Sequence, residues 1–194
     1  MSAGKQTDRR GFFGEGLRSL LRGFTETARA AAEEAAVRAA GGVRYLRPPG
    51  ALPEAAFLLA CTRCGDCARA CPVGAIRLLP ESAGAAMGTP YIDPLEQPCD
   101  LCGRCMPACG PGALVPVADP RQVRMGVAVI DPDRCWAFQG SPCDLCYQRC
   151  PFPDEAIRMA GGRPEVQPDR CTGCGQCAYI CVSTPPAIAI EPRT

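Results

Sequence analysis

Sixteen cysteines in four short runs constrain this 194-residue chain more than any other feature. Three runs read C-x2-C-x2-C-x3-C, and the third keeps that spacing except for a first gap of seven residues. A disulfide framework has no reason to repeat one spacing four times, so the pattern indicates metal ligation. The runs are Cys61/Cys64/Cys67/Cys71, Cys99/Cys102/Cys105/Cys109, Cys135/Cys143/Cys146/Cys150 and Cys171/Cys174/Cys177/Cys181.

The spacing within each run favours iron–sulfur chemistry over zinc. Zinc sites usually combine two separated C-x2-C halves, often with histidine. This chain has no histidine and places four cysteines in every run. The C-x2-C-x2-C-x3-C spacing is the one by which bacterial ferredoxins hold [4Fe–4S] clusters through thiolates. Four runs therefore predict four [4Fe–4S] clusters.

The composition indicates an electron carrier rather than an enzyme with a small-molecule substrate. Histidine, the commonest general acid and base, is absent. Sixteen cysteine ligands would leave no thiol as a nucleophile and no iron open to substrate. The formal charge is +1, but each oxidised cluster with its thiolates adds about −2, which argues against nucleic-acid binding. The chain has no apolar run long enough for a transmembrane helix.

The order of predicted elements indicates an α+β chain in three parts. Residues 1–47 are predicted to form a polar tail and an amphipathic helix over 11–40, where apolar side chains recur at steps of three and four. Residues 48–117 and 118–194 are predicted to form two tandem dicluster-ferredoxin-like modules, with short strands entering and leaving their cysteine runs. Gly161-Gly162 predicts a tight hairpin turn in the second module.

The runs resemble those of two-cluster ferredoxins, in which the fourth cysteine of a run ligates the other cluster. Carried onto this chain, the resemblance implies four ligand sets. They are set I (Cys61, Cys64, Cys67, Cys109), set II (Cys99, Cys102, Cys105, Cys71), set III (Cys135, Cys143, Cys146, Cys181) and set IV (Cys171, Cys174, Cys177, Cys150). The alternative is nested pairing, first run with fourth and second with third, as in some electron-transfer subunits of molybdenum oxidoreductases. Sequential pairing is favoured because each half carries its own strand–turn–strand segment between its runs.

The long first gap of the third run, WAFQGSP, is a local insertion. It is interpreted as a longer loop, with an effect on cluster potential or contact with a partner as the alternative. Four aromatic side chains are expected to shield clusters from water, with a role as electron relays as the alternative: Trp136 within this insertion, Tyr91, Tyr147 and Tyr179.

Four longer segments resemble ferredoxin-type proteins of periplasmic nitrate reductase and methylamine-utilisation systems. They are LRPPGALPEAAFLLACTRCGDCARACP, GTPYIDPLEQPCDLCGRCMPACGPGAL, MGVAVIDPDRCWAF and CTGCGQC, spread over residues 46–190. The RPPGALPE and GTPYI segments are more specific than the cysteine runs, which suit any polyferredoxin. The resemblance implies a protein that passes electrons from a membrane quinol oxidase or another donor towards a terminal oxidoreductase.

The predicted function is single-electron transfer between a donor and a partner oxidoreductase, so the expected partners are redox proteins. Two alternatives stay open: a maturation factor for a metalloenzyme, and a structural iron–sulfur module. The helix over 11–40 is expected to dock on a partner subunit or a membrane surface. Arg9 and Arg10 resemble a twin-arginine export signal, but charged residues interrupt the stretch that follows. A cytoplasmic location is therefore predicted, with periplasmic export as the alternative.

Overall fold

The structure, a computed structural model, describes residues 44–193, over which short helices and strands alternate in an α+β arrangement. The helices are α1 (Glu54–Ala60), α2 (Asp66–Arg69), α3 (Leu145–Arg149) and α4 (Gln176–Tyr179). The strands are β1 (Ile76–Leu78), β2 (Pro90–Ile92), β3 (Gly126–Ile130), β4 (Ile157–Ala160), β5 (Arg163–Val166) and β6 (Ile188–Pro192). Short 3-10 helices span Glu81–Ala86 and Pro120–Gln122. The predicted polar tail, the helix over 11–40 and the export-like segment lie outside the described residues.

No helix within residues 44–193 has the length and apolar character needed to cross a membrane. The longest of these α-helices, α1, has 7 residues, and the others have four or five. Elements this short cannot be stable alone, so contacts with the surrounding loops must hold them in place.

The six strands form three separate two-stranded antiparallel sheets, β1 with β2, β3 with β6 and β4 with β5. Gly161 and Gly162 join β4 to β5, and both have positive φ, at 57° and 78°. This is the backbone that a two-residue hairpin turn requires, so the predicted tight turn is confirmed. The β3–β6 pair joins the strand before the third run to the strand after the fourth, with Gly126 opposite Pro192.

We call the pairing of the first and last strands around two cysteine runs a strand closure. A smaller strand closure occurs earlier in the chain. Ala51 and Leu114 form an antiparallel bridge, flanked by hydrogen bonds from Leu52 N to Ala113 O (3.1 Å) and from Val115 N to Gly50 O (2.7 Å). The β1–β2 hairpin lies between them in sequence. We refer to residues 44–117 as the N-half and residues 118–193 as the C-half. In each half, the segment that enters the cysteine-bearing region pairs with the segment that leaves it.

The buried core is built from a few apolar side chains and the cysteines themselves. One cluster combines Phe57, Ile92, Met106 and Leu114 with several cysteines. A second, in the C-half, combines Ala128, Ile157, Ala178 and Ile188 with Cys146 and Cys171. The cysteines of the first cluster are Cys67, Cys99, Cys105 and Cys174. Because thiols form part of each core, packing and metal ligation depend on the same residues.

Two segments singled out in the sequence meet at Arg47. Its guanidinium donates to Glu54 from Nε (2.9 Å) and Nη2 (2.5 Å). Its Nη1 donates to Thr89 Oγ1 (2.9 Å) and to the carbonyl of Pro90 (2.8 Å). The guanidinium also lies 4.7 Å from the ring centroid of Phe57. The RPPGALPE segment and the GTPYI segment therefore share one buried hydrogen-bond network. The network forms because the folded chain brings the two segments into contact, and local sequence patterns do not predict it.

Candidate metal centres

Each cysteine run combines a loop with a short helix or turn. Cys67, Cys146 and Cys177, the third cysteines of their runs, lie in the first turns of α2, α3 and α4. Cys150 directly follows α3. The second run forms turns rather than a helix. This arrangement separates the fourth cysteine from the loop that carries the first two.

A cavity in the N-half is lined by the four cysteines of set I: Cys61, Cys64, Cys67 and Cys109. Phe57, Pro90 and Leu114 contribute apolar walls. Cys67 is buried, whereas Cys64 is exposed. The fourth cysteine of the second run therefore lies beside the first three cysteines of the first run.

Two cavities in the C-half have the same composition. One is lined by the four cysteines of set III: Cys135, Cys143, Cys146 and Cys181. The other is lined by the four cysteines of set IV: Cys150, Cys171, Cys174 and Cys177. Trp136 and Val182 also line the set III cavity, and both are partly open to solvent. The insertion in the third run thus contributes an aromatic wall to this cavity.

Within set II, Cys102 and Cys105 lie near Cys71, and Cys99 lies near Cys105. Cys99 and Cys105 are buried, and Cys102 is exposed. Burial raises the pKa of the Cys105 thiol to about 12, and the thiols of Cys102, Cys67 and Cys71 add to the increase. The pKa of Cys102 is also raised, first by burial and to a lesser extent by Cys71. The structure therefore brings the first run together with the second, and the third with the fourth.

Burial keeps several of these thiols in the protonated form. It raises the pKa of Cys67, Cys146 and Cys150 to about 11 and that of Cys99 to about 12. A thiol of this kind becomes a ligand only when a nearby cation compensates the thiolate charge, which iron supplies. The cysteine-lined cavities therefore fit a bound metal cluster.

Main-chain N–H groups point to the sulfur atoms of the fourth cysteines in three runs. Ala75 N lies 3.3 Å from Cys71 Sγ, Leu114 N lies 3.4 Å from Cys109 Sγ, and Ala187 N lies 3.3 Å from Cys181 Sγ. Hydrogen bonds to ligand sulfur stabilise added negative charge and so help to set cluster potentials. Sequence spacing gives no indication of these donors.

The thiols surround cavities instead of converging on one point. All sixteen cysteines are free of disulfides. Within residues 44–193, no three or more cysteine or acidic side chains lie close enough to hold a single metal ion. Four thiolates on zinc would lie about 3.8 Å apart, because the Zn–S bond is about 2.3 Å and the site is tetrahedral. A [4Fe–4S] cluster instead takes one cysteine at each of four separate irons.

A further cavity, of about 440 Å³, contains no cysteine. Arg47 and Glu54 contribute to one side, and Arg124 and Arg193 also line it. It adjoins the first described residues of the chain and is separate from the cysteine sets.

Comparison with known families agrees with this geometry. Two sequence profiles described as "4Fe-4S dicluster domain" match the chain, one over residues 60–113 and again over 98–153, and the other over 127–182. The matches overlap because the runs have nearly the same spacing, so any two consecutive runs satisfy such a profile. No solved structure matches the chain at a significant level.

Several curated proteins are similar to the chain over most of its length. The ferredoxin-type protein NapG of Escherichia coli K12 is 39% identical over 168 residues, covering 79% of this chain and 72% of NapG. The methylamine utilization ferredoxin-type protein MauM of Methylorubrum extorquens is 39% identical over 162 residues, covering 77% and 74%. MauM of Paracoccus denitrificans is 37% identical over 173 residues, covering 82% and 77%.

Dicluster domains and cysteine-lined cavities together define an iron–sulfur electron-transfer protein. The chain belongs to the family of ferredoxin-type proteins that includes NapG and MauM. The resemblance read from its RPPGALPE and GTPYI segments is thereby confirmed.

Proposed function

We propose that the chain holds four [4Fe–4S] clusters in sets I to IV and relays single electrons between a donor protein and a partner oxidoreductase. The observation that carries this proposal is the composition of three cavities. Each is lined by four cysteines, and these four are the members of one predicted set. The thiols around Cys71 supply the fourth group. When bound, each cluster accepts and releases one electron.

The residues of the chain have distinct parts in this proposal. The sixteen cysteines hold the clusters, and the N–H groups of residues such as Ala75 and Ala187 stabilise charge on sulfur. Apolar walls such as Phe57 and Ile188 exclude water. The chain acts as a carrier and not as a catalyst, since every thiol is a ligand. Two tandem dicluster modules, residues 48–117 and 118–194, agree with the two strand closures.

The proposed partners are a donor and an acceptor that are themselves redox proteins. The names of relatives, with ferredoxin-type in each and methylamine utilization in some, support a place in an oxidoreductase system. Docking through the helix over 11–40 and a cytoplasmic location remain proposals from sequence.

The test is an anaerobic redox titration of the purified holo-protein, monitored by electron paramagnetic resonance, with iron and acid-labile sulfide counted. We expect about sixteen iron atoms per chain and reversible one-electron reduction with magnetic coupling between clusters. Zinc in place of iron would refute the proposal. Clusters that cannot be reduced reversibly would favour a structural module, and clusters that pass intact to a metal-free enzyme would favour a maturation factor.

The pairing of runs is tested by iron counts in double variants. Cys64 and Cys109 both belong to set I, so Cys64→Ala with Cys109→Ala should remove one cluster and leave about twelve iron atoms. Nested pairing assigns these cysteines to different clusters and predicts about eight. Cys64→Ala with Cys71→Ala is the matched control, because it removes ligands of two clusters under either pairing.

A further inference from the structure

We propose that the N-half and the C-half are electronically coupled at one junction, where Cys99 of set II meets Cys174 of set IV. The four sets then lie in the order I, II, IV, III, which differs from their order along the chain. This inference rests on the proposed function, because it concerns the path between the proposed clusters.

The junction is a direct main-chain contact between ligand loops. The N–H of Cys99 donates to the carbonyl of Cys174 at 2.9 Å. In return, the side-chain amide of Gln176 donates to the carbonyl of Cys99 at 3.1 Å. Both polar main-chain groups of Cys99 are therefore satisfied by the C-half. Arg149 Nε donates to Gln176 Oε1 at 3.0 Å and holds the amide in position.

The residues of the junction are buried. Cys99, Cys174 and Gln176 are 8%, 7% and 9% exposed. Cys174 belongs to the same apolar cluster as Leu101 and Met106 of the N-half. In these buried surroundings of low dielectric constant, the hydrogen bonds of the junction are stronger than they would be in water.

Close packing at the junction depends on a residue without a side chain. A Cβ atom on Gly175 would lie 2.3 Å from Cβ of Pro94, which belongs to the N-half. Gly175 directly precedes Gln176, so the halves are in close contact beside the Cys99 hydrogen bonds. Any larger residue there would have to push the two halves apart.

Packing contacts order the other sets. In the N-half, Cys67 of set I lies in the same buried cluster as Cys99 and Cys105 of set II. In the C-half, α3, which carries Cys146 of set III, packs against α4, which carries Cys177 of set IV. Together with the hydrogen bond from Cys99 to Cys174, these contacts make sets I and II, II and IV, and IV and III neighbours.

This order makes sets I and III the two ends of the path. In this proposal, an electron that enters at one end reduces the first site by one electron. When the electron moves on, the first site is oxidised and the next site is reduced, and no bond is made or broken. Each end also reaches the surface. Cys64 of set I is exposed, and Trp136 at the set III cavity is 49% exposed. Donor and acceptor would then exchange electrons at the two ends of this path.

The experiment compares two double variants of the full chain, each with one cluster left in each half. Cys64→Ala with Cys143→Ala leaves sets II and IV, the inner pair. Cys102→Ala with Cys177→Ala leaves sets I and III, the outer pair. Each should retain about eight iron atoms. In the fully reduced state we expect magnetic coupling in the inner-pair protein and two independent signals in the outer-pair protein.

Coupling in the outer pair, or its absence in the inner pair, would overturn the proposed order. If iron in the unaltered chain is not near sixteen atoms, the proposed function itself fails. If iron is near sixteen atoms and the wrong pair is coupled, only the order fails. The two failures are therefore distinguishable by counting iron before the spectra are compared.

A single substitution in the four-cluster chain provides a second measurement that does not depend on ligand removal. Gln176→Leu deletes the bond to Cys99, whereas Gln148→Leu deletes an exposed contact with Asp144 in the same half. With iron unchanged in both, we expect Gln176→Leu alone to alter the spectrum of the fully reduced protein through weaker coupling between the halves. A spectrum identical to that of Gln148→Leu would overturn the proposal that the two halves are coupled at this junction.

Discussion

Arg47 and Glu54 form a bidentate ion pair that is almost completely buried, with side chains 6% and 9% exposed. The pair lies against set I, because Phe57 and Pro90 contact Arg47 and also line the set I cavity. Breaking a buried pair leaves an uncompensated charge and costs about 3–5 kcal/mol. Arg47→Ala is therefore expected to lower sharply the guanidinium concentration at which the holo-protein loses its cluster absorbance.

Arg77→Ala is the matched control, since Arg77 pairs with Glu96 in an exposed position where the contribution is about 0–1 kcal/mol. Replacing both buried partners, as Arg47→Met with Glu54→Leu, should recover much of the loss, because no charge is then left unpaired. Equal denaturation midpoints for Arg47→Ala and Arg77→Ala would contradict this account.

Gly173 should tolerate no side chain. Its φ is +73°, and a Cβ atom would lie 2.3 Å from the main-chain nitrogen of Gly126. Gly173→Ala is therefore expected to displace the loop of set IV from β3 and to lower the iron content by about four atoms. Gly162→Ala is the control, because Gly162 has a similar φ of +78° but open space around it. That variant should keep its iron and lose only about 1 kcal/mol of stability.

The N–H of Ala187 should raise the potential of the set III couple. Ala187→Pro removes this donor to Cys181 Sγ, and the reduced state, which carries more negative charge, loses more stabilisation than the oxidised state. A hydrogen bond contributes about 1 kcal/mol, equivalent to about 40 mV for a one-electron couple. The redox titration should therefore show one potential lowered by that amount, and Ala187→Gly, which keeps the N–H, should leave it unchanged. A potential that rises in the proline variant would refute the argument.

Trp136 is expected to protect set III from oxidants in solution. Its side chain lines the set III cavity at the surface, so Trp136→Ala opens the cavity to water and oxygen. On exposure to air, the variant should lose about four iron atoms before the remainder. Tyr179, which is 48% exposed and lines none of the three cysteine cavities, provides the control Tyr179→Ala. Equal rates of iron loss would argue against a protective role.

Much of the candidate site could be predicted from the cysteine spacing, because the first three ligands of each cluster come from one short run. The turn at Gly161-Gly162 and the strands beside the runs also follow from short-range rules for hairpins and alternating apolar residues. The stretch after Pro48-Pro49 predicts a short helix from Leu52 that leads to Cys61, and in the structure this helix begins at Glu54. Pro53 precedes it without a side-chain cap, so the boundary is set by proline geometry.

Long-range contacts were not predictable in the same way. Gln176 and Cys99 are 77 residues apart, and Arg47 and Thr89 are 42 residues apart. No periodic pattern specifies such pairs, because they depend on how loops pack after the strands have paired. For Arg47 and Thr89, the sequence offers one indication: both residues lie in the RPPGALPE and GTPYI segments, which are more specific to the family than the cysteine runs. Shielding by aromatic side chains stays a prediction: Trp136 lines the set III cavity, whereas Tyr179 lines none of the three cysteine cavities.

The pairing of Gly126 with Pro192 brings the two ends of the C-half side by side, and the Ala51–Leu114 bridge does so in the N-half. A unit whose entrance and exit are adjacent can be copied within a gene and inserted next to its parent without disturbing the internal pairing of either copy. The only new requirement is a patch through which one copy touches the next. The number of redox centres in such a chain can therefore increase by duplication, two at a time. The distance over which the chain can carry an electron increases with the number of copies.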